Sequence, residues 1–203
     1  ASQSAGLSKL GLVLDSVFSS LKYNISLLEF FQFHFYRLKP SERKLFAGTG
    51  YMYEYQLAMN PKAARPLLED KRLFLKEYAQ FVQHNYADLE QLKAHPKKAA
   101  ELLVNSSGKL VLKSHDGQCG WGVEVVDAAD LQYDQLIAQL EKSGNDLAEE
   151  YIVQHPDLMK LSPSGLNTIR IYTQLNSHDE VELLGCRLRI SVNSVVDNMA
   201  AGN

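Results

Sequence analysis

The chain of 203 residues has few cysteines, little net charge and no long apolar run, and each shortage excludes a class of protein. Its two cysteines, Cys119 and Cys186, are too few for a disulfide framework and do not have the spacing of zinc ligands. We therefore expect a reducing, cytoplasmic environment. The net charge of −3 gives no basic footprint for nucleic acid. A membrane-spanning helix needs a run of about 18 apolar residues, and the sequence has none.

The start of the sequence also lacks the basic region of a secretory signal, and Asp15 interrupts its short apolar run, so we expect no such signal. The hydrophobic fraction of 45% and the charged fraction of 22% are ordinary for a globular protein. A chain of this length can bury a sizeable core in one domain or in two small subdomains.

Helical periodicity dominates the first hundred residues. Apolar residues at helical spacing predict a helix over residues 8–22, and an aromatic-rich run predicts a second helix from Ser26. We expect those aromatic side chains in a buried core; a partner surface is the less favoured alternative. Ser41 is a candidate cap of a helix that starts at Pro40. The pair Gly48 and Gly50 indicates a turn.

The remaining elements change from helices to strands along the chain. Helices are predicted at residues 72–83, 96–104 and 131–143, with a short connector at 90–94. Strands are predicted at 148–153, 166–175, 181–190 and 195–197, with a proline-bounded loop at 154–163. Helices followed by antiparallel strands are typical of an α+β fold.

The most informative stretch is Lys109–Val126, which has the pattern strand, glycine-rich loop, strand. Its glycines at 117, 120 and 122 allow the backbone to approach a bound group closely and to turn its N–H groups toward an anion. Lys113, at the end of the first strand, would add a positive charge. The sequence is neither a Walker A loop nor a Rossmann fingerprint. The alternative interpretation is a plain β-hairpin whose glycines only make the turn.

Three later segments carry a resemblance to a known family. Residues 164–173 contain the run Asn-Thr-Ile-Arg, residues 187–190 read Arg-Leu-Arg-Ile, and residues 196–202 begin Val-Asp-Asn. In this order they resemble the sugar-transfer-associated ATP-grasp family. Upstream, residues 35–38, 57–60 and 68–71 are similar to the helical leader of that family, and the Lys113 hairpin is similar to its phosphate loop. The resemblance begins near residue 24 and is most specific over residues 149–202.

The resemblance implies an ATP-grasp-like α+β fold with an ATP site between two subdomains. On this basis we expect a helical N-terminal region at residues 1–69 and a first ATP-grasp subdomain with the glycine-rich loop at residues 70–150. Residues 151–203 would be the start of a second, incomplete subdomain with antiparallel strands.

The resemblance also implies roles for individual residues. Lys113 would contact the α- or β-phosphate of ATP, and Lys71 is a weaker candidate for a second phosphate contact. The loop residues Gly117, Gln118, Gly120 and Gly122 would fold over the triphosphate. The hinge would receive adenine and ribose through Glu149, Glu150, Tyr151, Ile152 and His155. Arg170 and Arg189 are the catalytic candidates, and Asn167, Asp197 and Asn198 are the candidates for binding the acceptor substrate.

Each of these residues has a plainer interpretation. Arg170 could pair with Glu182 on an exposed strand, and Glu149 and Glu150 could be solvated charges. His155 could be an ordinary loop histidine, and Asp197 could stabilise its own turn.

The chain departs from the family pattern at Ser191 and at Gly202-Asn203, where the family has glycines. The family's Glu-x-Asn motif, which holds Mg²⁺, is expected downstream of Asn203, so the sequence leaves the metal ligands unknown.

Two functions stay open at this point. The favoured one is an ATP-dependent carboxylate–amine ligase with an acyl-phosphate intermediate, linked to surface polysaccharide biosynthesis and using ATP and Mg²⁺. The alternative is a truncated or degenerate, non-catalytic module that binds a nucleotide or a partner. A third, plainer possibility is an α+β domain without a nucleotide site. The acceptor and the oligomeric state are unknown from the sequence, and we expect neither nucleic acid nor a membrane as partner.

Overall fold

The computed structural model of the chain describes residues 8–118 and 120–194. The chain forms two compact units, residues 1–64 and residues 65–203. The finer division predicted at residues 69/70 and 150/151 stays a prediction. The strand predicted at residues 195–197 lies outside the described residues, as do Cys119, Asp197 and Asn198.

The first unit is helical. Its core contains the buried side chains of Leu12, Ile25, Phe30 and Phe35, so the aromatic run after Ser26 contributes to a core as predicted. Ser8 and Ser26 cap the first two helices through their hydroxyl oxygens, and both predicted helices are confirmed. The α-helices are α1 (Lys9–Tyr23), α2 (Leu27–Gln32), α3 (Pro40–Arg43) and α4 (Thr49–Met59), with 3-10 turns at Phe35–Arg37 and Lys62–Ala64.

Helix α1 presents a mixed strip, made of Leu12, Ser16 and Ser19, to the interior of this unit. Ser16 and Ser19 are buried, whereas several leucines of α1 are exposed. Arg43 binds the polar part of this helix, because its guanidinium donates to both carboxylate oxygens of Asp15 at 2.6 and 2.9 Å and to the Ser19 hydroxyl at 2.9 Å.

Two predictions about the first unit are wrong. Gly48 and Gly50 do not form a turn; Gly48 is the N-cap of α4. A Cβ at Gly50 would lie 2.1 Å from Asn24 Oδ1, so this glycine permits close packing instead. Ser41 does not cap α3, because the cap residue is Lys39, whose backbone N–H donates to Glu42 Oε2 at 2.7 Å.

The second unit contains a four-stranded antiparallel sheet in the order β1-β4-β2-β3 and a separate two-stranded ribbon, β5-β6. The strands are β1 (Tyr86–Asp88), β2 (Lys109–Lys113), β3 (Glu124–Asp127), β4 (Leu147–Glu150), β5 (Thr168–Leu175) and β6 (Val181–Arg189). The α-helices are α5 (Pro66–Glu69), α6 (Lys71–Glu77), α7 (Leu89–Ala94), α8 (Pro96–Leu103), α9 (Tyr133–Ser143) and α10 (Pro156–Leu161), with 3-10 turns at Ala79–Phe81 and Ala128–Asp130.

One face of the sheet packs on helices α7, α8 and α9. Leu110 and Leu112 of β2 are fully buried there, together with Leu92, Leu102, Leu136, Leu140, Ala87 and Ala148. Because side chains alternate along a strand, Val111 and Lys113 point to the opposite face. That second face carries two cavities of the unit.

Several predictions for the second unit hold, and some do not. The hairpin of β2 and β3 and the helices α8 and α9 are confirmed, and Gly144 ends α9 in the left-handed conformation. The helix predicted over residues 72–83 ends at Glu77 and continues only as a 3-10 turn. Residues 90–94 are helical rather than a connector, and the loop predicted over 154–163 contains α10.

The β5-β6 ribbon pairs Arg170 with Arg187, and Thr168 with Arg189. The alternative pairing of Arg170 with Glu182 is wrong, because Glu182 lies opposite Gln174 and accepts from its side-chain amide at 2.9 Å. Apolar side chains of the ribbon are exposed on both faces. Throughout residues 8–118 and 120–194, every helix is too short or too polar to cross a lipid bilayer.

Candidate functional site

A cavity of about 210 Å³ opens on the sheet face that carries Val111 and Lys113. Val111 lies between Val125 of β3 and Glu149 of β4 in the strand register, so all three side chains share this face. The walls are mostly apolar, and a few polar groups lie among them. The lining residues are Val111, Lys113, Val123, Val125, Glu149, Glu150, Tyr151, Ile152, Leu166 and Thr168.

Glu149 is the buried charge of this cavity, with 8% of its surface exposed. Its Oε1 lies 2.7 Å from the Lys113 ammonium, and its Oε2 lies 3.2 Å from His84 Nε2. Burial acts to raise the pKa of Glu149, but the hydrogen bond with His84 and the charge of Lys113 outweigh it and hold the pKa below its ordinary value. Glu149 is therefore an ionised carboxylate that fixes the position of Lys113.

The glycine-rich loop follows Lys113 and is held by the side chain of Lys71. The Lys71 ammonium donates to the carbonyl oxygens of Ser114 at 2.9 Å, His115 at 3.2 Å and Gly117 at 2.5 Å. Burial and the nearby charge of Lys113 lower the pKa of Lys71. In this structure Lys71 thus supports the backbone of the loop, and its predicted contact with phosphate stays a prediction.

A second anchor holds the base of the loop. Asp146 accepts from the backbone N–H of His115 at 2.8 Å, and its other oxygen lies 2.5 Å from His115 Nδ1. The same carboxylate lies 3.8 Å from Arg72 Nη1. A carboxylate between two basic side chains ties the loop to helix α6, which carries Arg72.

The remainder of the loop turns on its glycines. Gly120 and Gly122 have φ angles of 79° and 72°, which side chains with a Cβ rarely adopt. The carbonyl of Gln118 accepts from the Trp121 N–H at 3.1 Å, and the Gly122 carbonyl accepts from the Asn145 side chain at 3.1 Å. Trp121 is 75% exposed and is the single tryptophan of the sequence, so its fluorescence reports on this loop.

The structure brings five predicted site residues together in the lining of the cavity, namely Lys113, Glu149, Glu150, Tyr151 and Ile152. Their predicted contacts with ATP stay predictions. Glu149 is buried and paired with basic groups, unlike the solvated charge of its alternative interpretation.

Three further candidates lie elsewhere in the second unit. His155 is exposed, and its Nδ1 accepts from the Asp157 N–H at 3.2 Å at the start of α10. Arg170 and Arg189 lie on the neighbouring strands of the ribbon, and Arg170 is exposed. Their roles stay predictions.

Asn167 is buried at the base of the ribbon. Its side-chain amide donates to the carbonyls of Leu158 and Ser162, both at 3.3 Å, and its Oδ1 accepts from the Ser191 N–H at 2.9 Å. Its backbone N–H donates to Gln154 Oε1 at 2.7 Å. Asn167 therefore holds several chain segments together, and its predicted contact with a substrate stays a prediction.

Sequence reasoning missed the residues that reach the site through tertiary pairing. His84 precedes β1 and contacts Glu149, and Asp146 precedes β4 and contacts His115; no local pattern marks either of them as a residue of the site. The apolar walls of the cavity had a weak signal in the sequence. Val111 is two residues from Lys113, and Val125 is two residues from Val123, so in an extended chain the side chains of each pair point to the same side. The alternation of β2 could have placed Val111 beside Lys113 on one face.

The site has groups that suit a nucleotide and lacks an evident set of metal ligands. Apolar walls with one fixed ammonium at the rim match a planar base joined to an anionic group. In the described parts of the chain, no cluster of three or more His, Cys, Asp or Glu side chains could hold a metal ion. The described residues therefore contain no preformed set of metal ligands.

Comparison with known proteins gives one match. The family model of sugar-transfer associated ATP-grasp proteins matches residues 51–203, about three quarters of the sequence. No curated protein and no solved structure that was compared with the chain matches it. The family match includes the β2-β3 hairpin, the cavity and the ribbon. The chain therefore belongs to the sugar-transfer associated ATP-grasp family.

Proposed function

We propose that the second unit binds ATP in the cavity beside Lys113. The observation that carries the proposal is the apolar cavity whose rim holds a lysine ammonium at 2.7 Å from a buried carboxylate. Pockets for whole drug-sized ligands measure about 300–1,000 Å³. A cavity of about 210 Å³ suits the adenine alone, with the triphosphate outside along the loop.

Lys113 has the capacity to bind both Glu149 and a phosphate. An ammonium has three N–H donors, and among the described contacts of Lys113 the side chain uses one of them, on Glu149. Glu149 fixes the ammonium at the rim, so phosphate meets a charge that is already in place. This preorganisation lowers the entropic cost of binding.

The glycine-rich loop supplies the second phosphate contact in this proposal. Lys71 and Asp146 hold residues 114–117 from two sides. The triphosphate would lie along the glycine-rich segment that follows, where the Trp121 N–H is already donated to the Gln118 carbonyl and the backbone of Gly120 and Gly122 would make the approach. The exposed Trp121 lies in this segment and would sense the bound nucleotide.

We further propose that the protein is a cytoplasmic ligase for a carboxylate and an amine. A carboxylate oxygen would attack the γ-phosphorus of ATP with departure of ADP, and an amine would then displace phosphate from the acyl phosphate. Arg170 and Arg189 are our candidates to hold the acyl phosphate, with Asn167, Asp197 and Asn198 near the acceptor. The link to surface polysaccharides rests on the family name alone.

Calorimetric titration with ATP tests the nucleotide site. We expect saturable binding that Lys113→Ala weakens by about tenfold or more, because a hydrogen bond to a charged group is worth about 1.5–3 kcal/mol. The matched control is Lys109→Ala, an exposed lysine at the other end of the same strand. Equal affinity of the wild type and Lys113→Ala would remove Lys113 from the site. Equal losses of ATP affinity in both variants would show that the effect comes from the net charge of the protein and not from the position of Lys113.

A further inference from the structure

A second cavity, of about 400 Å³, opens on the same sheet face as the first. It lies at the β1 end of the sheet, where Asp88 is opposite Leu147 and Tyr86 is opposite Glu149. Directly paired strand residues point to one side of a sheet, so both cavities share the face opposite the leucine core. Helix α6 contributes Arg72 and Lys76 to its lining, and the N-cap residue of that helix, Asp70, also lines it.

The carboxylates that line this second cavity already accept hydrogen bonds from the protein. Asp70 accepts from the backbone N–H of Arg72 at 2.8 Å and from the guanidinium at 2.9 and 3.2 Å, and these hydrogen bonds lower the pKa of Asp70 to about 2. Asp88 accepts from the Gln91 N–H at 2.8 Å. The Tyr86 hydroxyl donates to the Leu75 carbonyl at 2.9 Å.

The two basic side chains of the cavity, Arg72 and Lys76, have N–H donors that are not used in these hydrogen bonds. Arg72 uses Nε and Nη2 on Asp70, whereas its Nη1 lies 3.8 Å from Asp146, beyond direct hydrogen-bond distance. Its side chain is 40% exposed. Within residues 8–118 and 120–194, Lys76 has no ion-pair partner. A cavity with satisfied acceptors and spare cationic donors offers a complementary site to an anion.

We propose that this second cavity binds a small carboxylate, with Arg72 and Lys76 as its contacts. A single negative charge suits the site better than a phosphate dianion, because Asp70 and Asp88 line the same space and repel added charge. In the ligase reaction the bound molecule is the acid that ATP activates. This identification of the bound molecule as the substrate acid rests on the proposed function, whereas the proposal that the cavity binds a carboxylate does not.

The test is a titration of ¹⁵N-labelled protein with sodium propionate, followed by amide chemical shifts, without nucleotide. We expect saturable millimolar shifts centred on residues 70–76 and 86–91. Propionamide, which has the same shape without the charge, should cause none. Arg72→Gln and Lys76→Gln should each weaken binding by about tenfold or more, and Lys97→Gln, an exposed lysine of α8, should not.

Four results would overturn the proposal: no saturable shifts, shifts centred elsewhere, an equal effect of Lys97→Gln, or tighter binding of inorganic phosphate than of propionate. Lys76 is exposed, so Lys76→Gln keeps the fold and remains informative if Arg72→Gln unfolds. Because nucleotide is absent, failure of this test leaves the ATP proposal standing, and failure of ATP binding leaves the carboxylate site standing.

Discussion

At the scale of single residues, the site depends on one buried carboxylate with two basic partners. Glu149 accepts from Lys113 on the neighbouring strand β2 and contacts His84, which precedes β1. A buried charge is tolerated only when such partners compensate its lost hydration. The carboxylate therefore contributes to stability and also sets where the Lys113 ammonium stands.

We expect Glu149→Gln to lower the free energy of unfolding by about 1–3 kcal/mol at pH 7, the cost of leaving buried partners without their acceptor. The pKa of Glu149 is lowered in the folded state. Its ionised form therefore stabilises the fold above the unfolded-state pKa of about 4.3, and this stabilisation is lost as the pH falls through the lower folded-state pKa. The difference between wild type and variant should shrink below about pH 4.3.

Urea unfolding across this pH range measures the difference. Glu101→Gln, at an exposed position of α8, is the control and should change stability by no more than about 0.5 kcal/mol. A difference that is the same at neutral and acidic pH would show that the charge of Glu149 contributes nothing.

At the scale of elements, the glycine-rich loop is held at its start by side chains from outside the hairpin. Lys71, the first residue of α6, donates to three loop carbonyls, and Asp146, just before β4, accepts from His115. Loops with few internal hydrogen bonds open easily unless such contacts hold them. The loop is therefore ordered at its base and turns on glycines beyond it.

Lys71→Met should increase the hydrogen exchange of the amides of residues 114–118, because three carbonyls lose their ammonium partner while the apolar stem is largely kept. Exchange measured by mass spectrometry without nucleotide gives the readout. Lys97→Met is the control and should leave these amides unchanged. Unchanged exchange in Lys71→Met would contradict a supporting role for Lys71.

The base of the β5-β6 ribbon provides a second element-scale prediction. Asn167→Ala should lower the free energy of unfolding by about 1–3 kcal/mol, because the Ser191 N–H and two carbonyls lose a buried partner. Thr173→Ala, at an exposed position of the same ribbon, should have a much smaller effect. Denaturant unfolding compares the two, and equal losses would mean that the Asn167 network adds nothing specific.

At the scale of the whole molecule, the two faces of the sheet in the second unit have different roles. Leu110 and Leu112 build the core on one face, and Val111 and Lys113 line the cavity on the other. The proposed ATP site and the proposed carboxylate site both use the second face. Substrates of one reaction must meet at one place, and a shared face allows this.

The sequence predicted this face only in part. The hairpin and Lys113 were predictable because residues 110–112 form a short apolar run of strand-forming residues that leads into a glycine-rich loop. Strand β1, with three residues, is too short to show a period. His84 joins the site only when β1 pairs with β4, and Asp146 only when β4 pairs with β2; both pairings are tertiary events without a local signal.

Photolabelling with 8-azido-ATP is the most direct measurement of the central claim that adenine occupies the cavity beside Lys113. We expect the label to attach within residues 111–125 or 149–168, excess ATP to prevent labelling, and Lys113→Ala but not Lys109→Ala to reduce it. Labelling only outside these segments, or labelling that excess ATP does not prevent, would show that adenine does not occupy this cavity.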